Sequence, residues 1–186
     1  MPGRDWDSPS ASGSWSATGA GSGWNPNSDR GPRSTSQSPT AGESSKRPQI
    51  LLVEDNTMDV YLIREALETS RVNADLHVVP DGQAATLFVD QADSDPNAPC
   101  PNLTLLDLNL PKKSGVEVLK HLRRSARCAR SRILIVSSSD APRDRAAVAD
   151  LAVSGYFKKP TDYSGFMKLG SLIRDILAQT SSDERK

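Results

Sequence analysis

From Gln49 onward, short apolar runs alternate with segments of helical periodicity, and this alternation constrains the fold more than any other feature. The first run, residues 50–53, is apolar without interruption, which is typical of a strand buried on both faces. Further strands are predicted over residues 76–79, 103–106, 133–136 and 156–158. Five strands that alternate with five helices predict a doubly wound α/β domain with a mostly parallel sheet.

The helices are predicted from capping residues and from apolar residues at helical spacing. Asn56 or Thr57 can cap the first helix, and Pro142 lies where the fourth begins. The second helix covers residues 84–89 and is followed by a polar loop over residues 91–102. The apolar faces of the first, third and fifth helices contain Leu62, Ile63, Ala66 and Leu67; Val118, Leu119 and Leu122; and Phe166, Leu169, Ile173, Ile176 and Leu177.

Polar residues directly follow four of the predicted strands. In doubly wound sheets, ligands bind outside the carboxyl ends of the strands, near the point where the strand order reverses. The residues at these ends are Glu54 and Asp55 after the first strand, Asp107 after the third, Ser137 after the fourth and Lys159 after the fifth. We therefore expect these five side chains to share one rim of the sheet.

The chemistry of that rim points to phosphoryl transfer. Three carboxylates close together raise one another's pKa unless a cation lies between them. Oxygen ligands with room for water favour Mg²⁺, and a rim without His or Cys is a poor site for zinc or copper. Lys159 supplies a positive charge suited to phosphate, and Ser137 supplies a hydroxyl donor. A carboxylate beside Mg²⁺ and a lysine can act as a nucleophile and form an acyl phosphate.

Residues 1–48 have a different composition from the rest of the chain. They contain 12 Ser, 7 Gly and 6 Pro, and no Val, Ile, Leu or Phe. Such a segment cannot bury enough apolar area to offset about 1–2 kcal/mol of backbone entropy per residue, so we predict that it is disordered. Its Trp6, Trp15 and Trp24 are either a weak low-complexity repeat or exposed anchors for a partner.

Overall charge and cysteine content exclude several classes of protein. The chain has 23 basic and 23 acidic residues, so its neutrality gives no broad electrostatic case for binding nucleic acid or a membrane. It has neither an apolar run long enough to span a bilayer nor a signal-peptide core, so we expect a cytoplasmic protein. Cys100 and Cys128 precede the third and fourth strands, at the sheet end opposite Asp107, and we expect both to remain reduced.

Five motifs together resemble a response-regulator receiver domain. They are ILLVEDN at residues 50–56, LLDLNLP at 105–111, SG at 114–115, VSS at 136–138 and KKP at 158–160. The resemblance covers roughly residues 49–180, which leaves a short polar end at 181–186. The VEDN and LLDLNLP motifs are similar to those of stand-alone regulators paired with phytochrome-type histidine kinases. The family resemblance implies a flavodoxin-like parallel sheet with strand order 2-1-3-4-5.

The resemblance also implies a role for each residue of the rim. Asp107 corresponds to the residue that accepts the phosphoryl group, and Glu54 with Asp55 to the acidic pair that holds Mg²⁺ together with Asp107. Asn109 corresponds to the residue whose backbone carbonyl completes the metal site, and Lys159 to the phosphate-binding lysine.

Two residues match the switch of a receiver domain, and the resemblance also bears on Gly115 of the SG motif. Ser137 corresponds to the switch hydroxyl, and Tyr156 to the aromatic residue that changes rotamer with the switch, although a packing role for Tyr156 is the alternative. Gly115 either permits a backbone conformation near the phosphate or belongs to a plain turn.

Two features depart from a typical receiver domain. The polar loop at residues 91–102 is longer than usual. Gly165 and Gly170 fall inside the fifth helix, and each is expected to weaken it by about 1 kcal/mol relative to Ala. These departures concern the rigidity of the surface built around that helix, not the chemistry of the rim.

By this resemblance the chain is a single-domain regulator that accepts a phosphoryl group from a sensor histidine kinase and signals by protein–protein contact. It would catalyse only its own phosphorylation and dephosphorylation. An alternative in the same class is a phosphorelay intermediate that passes the group to a histidine phosphotransfer protein. A Mg²⁺-dependent phosphohydrolase with an aspartyl nucleophile is disfavoured, because Asn109 stands where such enzymes need an acidic Asp. Apolar Leu151, Val153 and Phe157 also suggest a homodimer through the fourth helix, fifth strand and fifth helix.

Overall fold

Five strands and five helices alternate along the described part of the chain, as the sequence pattern predicts. The computed structural model describes residues 47–183. The elements are β1 (Gln49–Val53), α1 (Thr57–Thr69), β2 (Asp75–Val79), α2 (Gly82–Ser94), β3 (Leu103–Leu106), α3 (Gly115–Arg124), β4 (Arg132–Ser137), α4 (Pro142–Ala149), β5 (Gly155–Lys158) and α5 (Tyr163–Asp183). The predicted disordered tail and its three tryptophans lie outside the described residues, apart from Arg47 and Pro48. Helix α5 continues past residue 180, where the receiver domain was predicted to end.

The strands form one parallel sheet in the order β2-β1-β3-β4-β5, which confirms the predicted topology. The chain moves outward from β1 in one direction to β2 and in the other to β3, so the reversal of strand order lies between β1 and β3. At that point Val53 of β1 is in register with Leu106 of β3. The residues that follow these two strands therefore emerge side by side.

Two apolar clusters, one on each face of the sheet, explain why β1 is apolar without interruption from Ile50 to Val53. Alternate residues of β1 belong to different clusters: Ile50 and Leu52 pack with α1 and α5, while Leu51 and Val53 pack with α2, α3 and α4. A strand covered on both faces needs apolar side chains at every position. No helix in the described part of the chain is both long enough and apolar enough to cross a membrane.

The two glycines of α5 have a packing role that their helix propensity does not reveal. A Cβ atom at Gly170 would lie 2.0 Å from the backbone oxygen of Ala66 in α1 and 2.3 Å from the Ser70 hydroxyl. At Gly165, a Cβ atom would lie 2.9 Å from both Asp162 and Pro160. The absence of a side chain at Gly170 thus allows α5 to pack directly on the backbone of α1.

Helix α2 is longer than predicted, and the polar loop correspondingly shorter. Residues 91–94, which the composition predicts to be part of the loop, continue the helix to Ser94. Ala92 is fully buried on the same face as Val89, and the Arg127 guanidinium donates hydrogen bonds to the backbone oxygens of Ala92 and Asp95. These bonds satisfy carbonyl groups that the end of a helix leaves without partners. Because Arg127 lies far away in the chain, the local composition did not reveal this extension.

The prediction that both cysteines stay reduced is wrong for this structure, in which Cys100 and Cys128 form a disulfide. Their Cα atoms lie 5.6 Å apart, which is within the range that a disulfide can bridge. The cause is the pairing of β3 with β4, in which Leu103 is in register with Arg132. This pairing brings together the segments that lead into the two strands, at the sheet end opposite Asp107.

Candidate functional site

The five residues selected from the sequence meet at the carboxyl ends of the strands. Glu54 and Asp107 follow the registered residues Val53 and Leu106, and the N–H of Asp107 donates to the Val53 carbonyl. Ser137 is the last residue of β4, and its carbonyl accepts a hydrogen bond from the N–H of Lys159. The parallel sheet thus carries all of these positions to one rim.

The Lys159 ammonium lies at the centre of the site. Its Nζ atom is 2.6 Å from Asp107 Oδ2, 2.7 Å from Glu54 Oε2 and 2.9 Å from Asp59 Oδ2. The side chains of Lys159, Glu54 and Asp107 are all buried. Buried charges of this kind are stable only when they are paired and hydrogen-bonded. The structure therefore forms an ion cluster, not a set of separate surface charges.

Burial and hydrogen bonding have opposite effects on the pKa values of Glu54 and Lys159. Burial raises the pKa of Glu54 above its usual value, against the effect of its hydrogen bond from Lys159. Burial alone would lower the pKa of Lys159, but hydrogen bonds to Asp107, Glu54 and Asp59 outweigh it and raise that pKa. This shift favours the charged form of Lys159.

The carboxylates outnumber the ammonium, so the site has the charge and ligands for a further cation. Oxygen atoms of Glu54, Asp55 and Asp107 all lie within 4.8 Å of one another. Asp55 is exposed to solvent, while the other two are buried. A hard divalent ion such as Mg²⁺ uses one or two carboxylates and keeps several waters, and an acidic group with one open side suits that requirement. The residues present thus fit a divalent metal.

The loop after β3 is held against both Asp107 and α2. The N–H of Asn109 donates to Asp107 Oδ1 at 3.0 Å, which places the backbone of Asn109 beside the acidic group. Lys112 donates to the buried Asp81 carboxylate at 2.5 Å, and Asp81 caps α2 through the N–H of Ala84. This anchoring limits the movement of the loop around Asp107.

Gly115, the first residue of α3, is required by close packing near Asp107. A Cβ atom there would lie 2.2 Å from the backbone oxygen of Asp107 and 2.7 Å from the Cα atom of Leu108. The N–H of Gly115 also donates to the Leu108 carbonyl. The sequence leaves two alternatives open for Gly115, a special backbone conformation and a plain turn. The steric requirement found here differs from both.

Ser137, at the end of β4, and Tyr156, in β5, both contact the loop between β4 and α4. Ser137 is fully buried, and its hydroxyl accepts a hydrogen bond from the N–H of Ser139. The Tyr156 hydroxyl donates to the Ser139 carbonyl at 2.6 Å, and burial raises the pKa of Tyr156. The Arg145 guanidinium covers the Tyr156 ring at 4.3 Å from its centroid and also binds Asp140. The loop, the ring and the start of α4 thus form one connected unit.

Sequence reasoning missed one member of the ion cluster, Asp59. It lies in the first turn of α1, and its carboxylate binds Lys159. Acidic residues are common in the first turn of a helix because they interact favourably with the helix dipole, so Asp59 carries no distinctive signal in the sequence. Only the orientation of α1 over the rim brings it to the lysine.

Comparisons with known proteins identify the family and the fold. Residues 50–169 match the family profile of the response regulator receiver domain. The response regulator Rcp1 of Synechocystis sp. is 36% identical over 138 residues, which cover 74% of this chain and 94% of Rcp1. The solved Mn²⁺-bound form of Rcp1 is similar at a TM-score of 0.61 and 37% identity, over 68% of this chain and 91% of that one. The phosphorylated cyanobacterial phytochrome response regulator RcpA is similar at a TM-score of 0.63 and 36% identity, over 69% and 92% of the two chains.

Proposed function

The chain belongs to the response-regulator receiver family, and from this premise we propose that it is a single-domain regulator phosphorylated on Asp107 by a histidine kinase. The observation that carries the proposal is the position of Lys159 Nζ, which lies 2.6 Å from Asp107 and 2.7 Å from Glu54. These two carboxylates follow the adjoining strands β3 and β1. We further propose that the protein acts in the cytoplasm and that it catalyses no reaction on a separate substrate.

Asp107 is the proposed nucleophile. A carboxylate oxygen attacks the phosphorus atom of a phosphohistidine, a new O–P bond forms, and the P–N bond breaks as the imidazole leaves with its electron pair. The contacts of Asp107 with Lys159 and with the N–H of Asn109 orient its two oxygens for this step. The product is an acyl phosphate on Asp107.

The proposed metal is Mg²⁺, held by Glu54, Asp55, Asp107 and the backbone carbonyl of Asn109. When bound, Mg²⁺ would neutralise negative charge on the transferring group. The fit of the acidic group to a divalent ion supports this assignment, as does the Mn²⁺-bound form of Rcp1, a relative of this chain.

Lys159 and Ser137 are proposed to bind the phosphoryl oxygens. The ammonium already lies within hydrogen-bonding distance of Asp107, so it can donate to an oxygen of a group attached there. Ser137 lies at the end of β4 beside Lys159, and movement of its hydroxyl toward a phosphoryl oxygen would release its contact with Ser139. Tyr156 binds the carbonyl of the same Ser139, so the change would reach the ring through the loop between β4 and α4.

The proposed partner is a sensor histidine kinase, and a phytochrome-type kinase in particular. Similarity to RcpA, a cyanobacterial phytochrome response regulator, supports this choice. A phosphorelay intermediate would use the same residues in the same way, and it differs only in passing the group on to a histidine carrier. Incubation of the phosphorylated chain with candidate histidine carriers distinguishes the two functions.

The proposed output surface consists of α4, β5 and α5, and a second copy of this chain is one of its proposed partners. Leu151 and Val153 pack against one apolar cluster of the domain, and Phe157 packs against the other. These three side chains thus already have partners within the monomer. The support that remains for a homodimer is the position of Tyr156 and Arg145 on this face. Sedimentation with and without beryllofluoride and Mg²⁺, on wild type and Ser137→Ala, tests both the dimer and the relay through Ser137.

The phosphorylation site is tested by labelling wild type and Asp107→Asn with a phosphorylated kinase and with a small phosphodonor, in the presence of Mg²⁺. We expect an alkali-labile phosphate on wild type and none on the variant. Asp90→Asn, which makes the same change on the exposed face of α2, is the matched control and should be labelled like wild type. Equal labelling of Asp107→Asn and wild type would refute the assignment.

A further inference from the structure

All three hydrogen-bond donors of the Lys159 ammonium are used within the ion cluster. A lysine ammonium has three N–H groups and no acceptor. Three carboxylates, from Asp107, Glu54 and Asp59, lie between 2.6 and 2.9 Å from Nζ. The direction in which the ammonium points is therefore set by all three of these partners.

Asp59 differs from the other two partners in its position and in its chemistry. Glu54 and Asp107 follow strands and supply oxygens to the group that can hold a metal, whereas Asp59 belongs to α1 and is not a member of that group. The Asp59 side chain is 19% exposed, compared with 1% for Glu54 and 7% for Asp107. Its contact with Lys159 therefore uses no oxygen of the group that can hold a metal.

We propose that Asp59 is a positioning residue, which anchors Lys159 so that one N–H of the ammonium stays directed at Asp107 and at a phosphoryl group there. This inference rests on the proposed phosphorylation of Asp107. A divalent ion held by Glu54, Asp55 and Asp107 would use carboxylate groups that also bind Lys159. Asp59 holds the ammonium in place while those contacts are exchanged.

The anchor and a simple charge effect predict opposite results for the removal of Asp59. If Asp59 acted only through its negative charge, its loss would speed the reaction with an anionic phosphodonor and weaken Mg²⁺ binding. If Asp59 anchors Lys159, its loss disorders the ammonium and slows phosphorylation, while the Mg²⁺ ligands keep their geometry. At saturating Mg²⁺, the sign of the change in rate therefore distinguishes the two roles.

The test compares Asp59→Ala and Asp59→Asn with wild type, and uses Glu68→Ala as a control. Glu68 is an exposed acidic residue on the same helix, so its variant has the same change in net charge. Phosphorylation by acetyl phosphate should be about tenfold slower in Asp59→Ala, the scale expected for a lost hydrogen bond between charged groups. Asp59→Asn keeps an acceptor oxygen and should lose less. The dissociation constant for Mg²⁺, measured by calorimetry, should change by less than about twofold in each variant.

Two further measurements separate the anchor from the proposed function. Relaxation of the Lys159 side chain, in protein labelled with ¹³C-lysine and assigned with Lys159→Met, should show loss of order in Asp59→Ala but not in Glu68→Ala. Asp59→Ala should also have no further effect on rate in the Lys159→Met background. Equal order in Asp59→Ala and wild type, or a faster reaction in Asp59→Ala, overturns the anchor. Failure of Asp107 to become phosphorylated in wild type overturns the proposed function instead, and the relaxation measurement still decides the anchor.

Discussion

Replacing Lys159 by Met should destabilise the domain strongly, because it removes the cation from a buried ion cluster. The side chains of Glu54 and Asp107 are 1% and 7% exposed, and each forms a hydrogen bond with Lys159 Nζ of 2.7 Å or less. Removing one partner of a buried ion pair costs about 3–5 kcal/mol of unfolding free energy, because the remaining charge stays buried without compensation. We expect a loss of that size at neutral pH in the absence of Mg²⁺.

Lys158→Met is the matched control, with the same chemical change one residue earlier. The Lys158 side chain is 57% exposed, and its Nζ lies 3.7 Å from Asp140. An exposed pair of this kind contributes about 0–1 kcal/mol. The difference between the two variants thus isolates the effect of the buried cluster.

Mg²⁺ should restore much of the stability lost in Lys159→Met, because it can supply positive charge to Glu54 and Asp107. An ion present at about 100 times its dissociation constant stabilises the folded state by about 2.7 kcal/mol. The variant has a larger excess of negative charge than wild type, so it should bind Mg²⁺ more tightly and gain more stability at a given concentration. Lys158→Met should gain as much as wild type.

Acidification should also reduce the loss of unfolding free energy in Lys159→Met. Burial raises the pKa of Glu54 above the value it has in the unfolded chain, and without Lys159 it should rise further. When the pKa of a carboxyl group is higher in the folded state than in the unfolded chain, the free energy of unfolding decreases as the pH rises from the unfolded-state pKa to the folded-state pKa. The deficit of Lys159→Met should therefore be smallest below the usual pKa of glutamate and largest above the raised pKa of Glu54.

The assay is urea unfolding followed by circular dichroism, for wild type and both variants, with and without Mg²⁺ and at several pH values. Equal stability of Lys159→Met and Lys158→Met without Mg²⁺ would show that the cluster does not depend on Lys159. An equal gain from Mg²⁺ in wild type and Lys159→Met would show that the metal and the lysine do not share the same carboxylates.

Three other predictions concern packing, covalent structure and the ring next to the site. Gly170→Ala should destabilise the domain by about 1–3 kcal/mol in urea unfolding, although Ala favours a helix, because its Cβ atom would overlap the backbone oxygen of Ala66. Exposed Ser171→Ala is the control, and a Gly170→Ala variant as stable as wild type would contradict the packing argument. Intact-mass measurement of protein purified without reductant should show a mass lower by two hydrogen atoms than that of the reduced protein, owing to the bond between Cys100 and Cys128; equal masses would show two free thiols. Arg145→Met should raise the pKa of Tyr156 further, since it removes the guanidinium 4.3 Å from the ring centroid, and the signal of fluorotyrosine at this position measures the shift. Arg143→Met, at a residue 90% exposed on the same helix, should leave that pKa unchanged.

The sequence alone was sufficient to predict the class of fold and the rim of the site. Most strands are short and largely apolar, as expected for parallel strands with helices on both faces, and their alternation with helical segments identifies the architecture. The site residues directly follow strands, and the carboxyl ends of parallel strands share one edge of the sheet. Position relative to a strand end was therefore enough to bring Glu54, Asp107, Ser137 and Lys159 together. The strand order itself came from the family resemblance.

Only the tertiary structure identified the contacts that depend on how helices and loops lie across the sheet. Asp59 reaches Lys159 because of the orientation of α1, and Gly170 is required because α5 packs on the backbone of that same helix. Arg127 extends α2 from a distant loop, and the pairing of β3 with β4 brings Cys100 to Cys128. These contacts join residues far apart in the chain, and their distances depend on packing geometry that neither residue spacing nor helix propensity contains.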